Sequence, residues 1–169
     1  MPRNTLNLSE FLPYLTNRLG TAFVMRFSAE ALLPHDLSIS MWRVLAALSN
    51  QGRLRQIDIS DMTSTEASTV SRLVTKLVHA GLVSRARSNS SSREVTVALT
   101  AKGTRLVDEL IPIAQRLERA ATDGLAAADI TVAKNCLRRM YSNLVQSEDS
   151  AGGRKASASR RRPEASVRR

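Results

Sequence analysis

Between residues 64 and 103 the apolar positions change period twice. Val70, Leu73, Val74, Leu77 and Val78 recur at i, i+3, i+4, i+7 and i+8, the spacing of a single helical stripe. Gly81 supplies the stop, because glycine adopts the positive φ of a helix C-terminus without steric penalty. Val83–Arg87 and Arg93–Leu99 then alternate, the second with Val95, Val97 and Leu99 on one face, as paired strands do. Their connection, Ser88–Ser92, is too long for a two-residue hairpin turn and predicts a mobile tip. Thr100 is placed to cap the helix that follows.

Upstream, residues 10–32 predict a long first helix, with Ser9 as N-cap, Pro13 in its first turn and an apolar stripe of Phe11, Leu15, Leu19, Ala22 or Phe23, and Arg26/Phe27. Pro34 breaks it. Ser38 caps a second helix that turns Trp42, Leu45, Ala46 and Leu48 inward and stops at Asn50–Gly52. Arg55–Met62 predicts a short third helix carrying Ile57, Ile59 and Met62, and Thr63–Thr65 a turn into the striped helix. Two caps compete there: Thr63, at capping-box spacing from Glu66, and Thr65. A fifth helix runs from Thr100 to about Thr122, kinked by Pro112, and a sixth covers 128–145 after Gly124.

These elements predict a mostly α-helical fold: a winged helix-turn-helix with a two-stranded β-wing, flanked by N- and C-terminal helices that form a dimerisation lobe. The chain divides into an N-terminal helix (1–36), the winged unit (37–103), C-terminal dimerisation helices (104–145) and a basic tail (146–169). The first, fifth and sixth helices have broad apolar faces, which a second copy of the chain would cover.

The face of the striped helix opposite its apolar residues carries Ser68, Thr69, Ser71, Arg72, Thr75 and Lys76, with no acid. Hydroxyls and cations of this kind meet phosphates and base edges in a major groove. Arg72 is the leading candidate for such a contact, and Gln56 is placed for a phosphate. Arg85, Arg87 and Arg93 flank the wing tip and would reach a minor groove or neighbouring phosphates; the alternative for each is an exposed strand cation that aids solubility.

Composition adjusts this picture little. A net charge of +10 over 169 residues suits a nucleic-acid binder, but the seven cations and one acid of residues 154–169 supply more than half of it. The tail, poor in apolar residues, is expected to be disordered. It reads either as a solvated extension or as a source of sequence-independent DNA affinity. One cysteine excludes an intrachain disulfide or a cysteine-rich zinc site, and two isolated histidines, His35 and His79, predict no metal site. No apolar run approaches the roughly 18 residues of a membrane span, and MPRNTLNLSEF lacks the apolar centre of a secretory signal. A cytoplasmic protein with no cofactor is expected. Gly-rich phosphate loops and nucleophile motifs are missing from the sequence, so no enzyme is predicted.

TVSRLVTKLVHAGLV (69–83), Arg93, LTAKG (99–103) and LSISMWRVLAAL (37–48) resemble the winged helix-turn-helix of the MarR family of bacterial transcription regulators. With weaker flanking helices the resemblance covers roughly residues 8–145. It implies an obligate dimer, usually a repressor, that loses DNA affinity when a small ligand or oxidant acts on it. Thr65 matches the family's helix start better than Thr63 does. Arg93 matches its wing arginine, but Ser91-Ser92 stands where many members have Asp-Arg, so the aspartate that braces the wing is missing. Oxidant-sensing members use a cysteine near the first helix. Cys136 lies late in the chain, which favours packing in a dimer core over a peroxide sensor.

Five of the six aromatic residues fall in the first quarter of the chain. Tyr14, Phe23, Phe27 and Trp42, together with Arg18, Arg26, His35 and Arg43, have the chemistry to bind an aromatic acid or its coenzyme A thioester. A dimer core with snorkelling arginines is the alternative. The pattern is similar to that of family members that repress hydroxycinnamate catabolism. The function expected is a homodimeric, ligand-responsive repressor of a double-stranded DNA operator. The alternatives are an effector-independent architectural DNA-binding protein and a winged-helix protein-interaction module.

Overall fold

A computed structural model of the chain describes residues 5–88 and 91–158, with side chains over 5–86 and 95–146. Helix α1 spans Leu12–Phe27 and carries Pro13 in its first turn. Ser9 does not cap it: its N–H and hydroxyl both donate to Asn7 Oδ1, at 3.1 and 2.7 Å. The long helix predicted to residue 32 instead changes pitch, through a π-turn at Ser28–Leu32 and a 3-10 turn at Leu33–His35. Pro34 has no N–H with which to continue the α ladder. The widened turn places Phe27, Ala31 and Leu32 all inside.

Helix α2 (Ile39–Gln51) starts as predicted, with Ser38 Oγ accepting from the Met41 N–H at 3.2 Å, and ends at Gly52 with φ 77°. Its buried face is Met41, Val44, Leu45, Ala47 and Leu48; Trp42 and Ala46, predicted inward, are half-buried. A strand that the pattern did not predict follows. Leu54–Arg55 (β1) pairs antiparallel with the wing, Leu54 opposite Val97, so the sheet has three strands rather than two. Two residues are too few to show a period.

Helix α3 (Gln56–Thr63) buries Ile59 while Ile57 and Met62 stay exposed. Helix α4 (Ala67–His79) has Glu66 at its N-cap and no side-chain cap. Neither predicted threonine caps it: the helix starts beyond both, and the Thr63 hydroxyl donates to the Ile59 carbonyl at 2.7 Å and that of Thr65 to the Thr63 carbonyl at 3.1 Å. Val70, Val74 and Leu77 are buried and Leu73 half-buried, whereas Val78, at the edge of the predicted stripe, is exposed. Gly81, with φ 70°, closes the helix, and the Leu82 N–H returns to the Leu77 carbonyl at 2.9 Å.

Strands β2 (Val83–Ser88) and β3 (Ser91–Leu99) pair in register from Val83 opposite Leu99 to Arg87 opposite Val95. The register then shifts, and Ser88 pairs with Ser91. The five-residue tip predicted at Ser88–Ser92 is thus corrected: pairing continues into it, the surplus is taken up by the irregularity, and only residues 89 and 90 lie outside the described chain. Helix α5 (Ala101–Ala121) begins with Thr100 Oγ1 accepting from the Gly103 N–H at 3.0 Å and runs on through Pro112, which is exposed. One core joins these elements through Phe27, Leu45, Leu48, Ile59, Val74, Leu77, Val97, Val107 and Leu110.

Residues 122–169 form a separate unit. Its helix α6 extends from Ala127 to Ala158, so the part of the expected tail from Gln146 to Ala158 is helical, and the rest of that tail lies outside the described residues. Once nucleated, a helix adds residues at small cost, and no proline interrupts the chain between Pro112 and Pro163. Cys136, expected in a core, is exposed in the single chain, as are Leu137, Tyr141 and Leu144 on the same helix.

Candidate nucleic-acid interface

The apolar stripe of α4 fixes which side of that helix meets water. With Val70, Val74 and Leu77 in the core, Ser68, Arg72, Thr75 and Lys76 are exposed, and Thr69 and Ser71 are half-buried along the edge. The Arg72 guanidinium is steadied one turn back, donating from Nη2 to Thr69 Oγ1 at 3.1 Å. The six polar positions therefore share one face with no carboxylate among them.

Thr75 is less available than its exposure suggests. Its hydroxyl donates to the Ser71 carbonyl at 2.9 Å and accepts from Arg85 Nη2 at 2.8 Å. Arg85, expected to project from the wing, turns onto α4 instead and also reaches the Ser71 carbonyl at 3.3 Å. The backbones of Arg87 and Arg93 lie in β2 and β3, and their side chains are outside the described residues. Gln56 is half-buried in the first turn of α3. Beside it, Asp58 accepts from the Arg55 N–H at 3.2 Å and from the Arg55 guanidinium at 2.8 and 2.6 Å. The guanidinium holds the Asp58 carboxyl below its ordinary value of 3.8.

The C-terminal end of α4 is clamped by the residues that open α5. Lys102 Nζ donates to the Ala80 carbonyl at 2.9 Å, and Thr100 Oγ1 lies 2.7 and 3.2 Å from the carbonyl oxygens of Gly81 and Leu82. A cation at this end also opposes the helix dipole. LTAKG stands out in the sequence as a motif, but periodicity carries no sign that Thr100 and Lys102 hold the end of another helix.

The eight aromatic and cationic positions considered for a ligand divide among several surroundings. Phe27 is fully buried in the core, stacked on Phe23 and tilted against Trp42, with centroids 6.1 and 5.2 Å away. Arg18 lies 5.7 Å from the ring centroid of Tyr14. Arg26 pairs with Glu30, which also holds Arg116 of α5 at 2.7 Å. Phe23 and Arg26 line a cleft of about 180 Å³ between α1 and α5, and Trp42 and Arg43 line another beside Met62 and Thr63. His35 is apart from all of these. It borders an open groove of about 890 Å³ whose other wall is Leu73, Lys76, His79 and Ala80 of α4. In the single chain these eight positions, read as lining a ligand pocket or a dimer core, border separate clefts, and Phe27 lies in the core. Among the described residues no cluster suited to a metal ion occurs, and no helix is long and apolar enough to cross a membrane.

Residues 37–95 match the MarR family, a span that runs from α2 into the wing. The chain is similar to the HTH-type transcriptional repressor NicR of Pseudomonas putida, 28% identical over 146 residues that cover 86% of this chain and 89% of NicR. It is also similar to the HTH-type transcriptional repressor IacR of Pseudomonas putida, 27% identical over 109 residues; that match covers 64% of this chain and 65%, just under two thirds, of IacR. Among solved structures it resembles BpsR of Bordetella bronchiseptica, whose DNA binding is regulated by 6-hydroxynicotinic acid, with 25% identity, a TM-score of 0.67 and coverage of 77% of this chain and 98% of BpsR. The helix-turn-helix, the three-stranded sheet and the sequence that builds them resemble those of MarR-family transcription regulators.

Proposed function

We propose that the protein is a sequence-specific transcriptional repressor that binds operator DNA as a homodimer and is released by an aromatic acid or its coenzyme A thioester, in the cytoplasm. One observation carries the DNA-binding reading: the exposed, acid-free face of α4, with Ser68, Arg72 and Lys76 presented on a helix anchored by three fully buried residues. Two such helices in a dimer would enter successive major grooves, about 34 Å apart. Leu15 and Leu19 on α1 and, in the other unit, Leu137 and Leu144 on α6 are exposed apolar residues that a second copy would bury.

The effector class rests on the likeness to BpsR, which responds to an aromatic acid, and on the groove between the 3-10 turn and α4. An acid held between His35 on one wall and Lys76 and His79 on the other would touch the DNA-reading helix directly. It shifts the protein off DNA only if it binds the DNA-free arrangement more tightly.

Gel-shift titration with the DNA upstream of the protein's own gene tests the reading, with and without 6-hydroxynicotinic acid, hydroxycinnamic acids and their coenzyme A thioesters. A specific shift relieved by one of these compounds is expected. An effector-insensitive shift blind to sequence would indicate an architectural DNA-binding protein, and no shift at all a protein-interaction module.

A further inference from the structure

Strand parity places Arg85 on the side of the wing that faces α4. It stands directly opposite Val97 in the β2–β3 ladder, and Val97 is fully buried. Residues facing each other in an antiparallel pair project to the same side of the sheet, and Val83, two positions earlier, is buried as well. Arg85 therefore lies on the core-facing side of β2 but at its outer edge, where its side chain stays exposed. Its guanidinium reaches across to α4, donating from Nη2 to Thr75 Oγ1 at 2.8 Å and to the Ser71 carbonyl at 3.3 Å. The Thr75 hydroxyl donates its own proton to the same carbonyl at 2.9 Å.

This arrangement ties the middle of α4 to the wing on the side away from Lys102 and Thr100, which hold the helix end. With Val70, Val74 and Leu77 in the core and the C-terminal end held, the remaining freedom of α4 is a small roll and tilt. A charge-assisted bond at Ser71 and Thr75 removes it. We propose that Arg85 is a positioning residue for DNA recognition. It sets the pitch of α4 against the wing, so operator discrimination depends on it while bulk affinity for duplex does not. The proposal rests on the reading of α4 as the DNA-reading helix.

The test uses full-length wild type, Arg85→Met, Arg85→Lys, Thr75→Val and the double variant Thr75→Val/Arg85→Met. Each is titrated with a duplex selected by the wild type from a randomised library and with a scrambled duplex of equal length, across a salt series. Arg85→Met is expected to lower the selected-to-scrambled affinity ratio about tenfold or more, with scrambled-duplex affinity and salt slope unchanged. Arg85→Lys should restore part of the ratio. The double variant should be no worse than Arg85→Met alone, since both remove one link. Thermal unfolding accompanies each titration. If Arg85→Met unfolds, Arg85→Lys, which keeps the cation but not the guanidinium geometry, is decisive and should show a smaller drop in ratio at the wild-type salt slope.

Equal losses on both duplexes, with the slope reduced by about 0.9, would make Arg85 a phosphate ligand and overturn the proposal. An unchanged ratio, or additive effects of the two substitutions, would overturn it too. A wild type that selects no sequence from the library would instead remove the DNA-binding reading on which the proposal stands.

Discussion

At Gly103 a β-carbon would overlap the Leu82 carbonyl oxygen, and the clash is with backbone rather than with a flexible side chain. The reason for glycine is therefore close approach: the first turn of α5 sits against the turn that ends α4. Gly103→Ala is expected to destabilise the protein by about 1–3 kcal/mol through overpacking, of which alanine's better helix propensity recovers at most about 1 kcal/mol. Urea unfolding measures the difference, and a variant as stable as wild type would show that the two turns separate freely. The glycine itself is visible in the LTAKG string. The close approach that demands it is not, because Leu82 and Gly103 meet only when the wing folds back.

On the scale of the element, α4 follows from its sequence in length and burial. The stripe of Val70, Val74 and Leu77 is inside, and the polar face is outside. Arg72→Ala is expected to weaken operator binding by at least about 1 kcal/mol if its guanidinium meets a base edge. Gel-shift titration reads this effect, and an unchanged footprint and affinity would take Arg72 out of the interface. The helix start was less predictable. Thr63 and Thr65 both have the chemistry of a cap, yet the turn carries the chain past them and the helix begins after Glu66. The end of α1 shows a related limit, where Pro34 announced a break but not the π-turn that brings both Ala31 and Leu32 into the core.

On the scale of the whole molecule, charge is concentrated where the sequence ends. Removing residues 154–169 takes away seven cations and one acid. The truncated protein is expected to bind DNA with a shallower salt dependence, by about 0.9 in log–log slope for each phosphate the tail had neutralised, while choosing the same operator. Titrations at several salt concentrations on selected and random duplexes check this. A truncated protein that no longer discriminates between them would assign the tail a role in reading sequence.

The elements of the winged helix-turn-helix and the cationic face of α4 follow from the sequence alone, because a helical stripe, an alternating strand and a glycine stop are local patterns whose periods are set by backbone geometry. Tertiary structure decided what those residues do to one another. It turned Arg85 from the wing onto α4, recruited Leu54 and Arg55 into a third strand, and buried Phe27 between Phe23 and Trp42. Each of these outcomes depends on which distant segments come to lie side by side, and spacing along the chain does not encode that proximity.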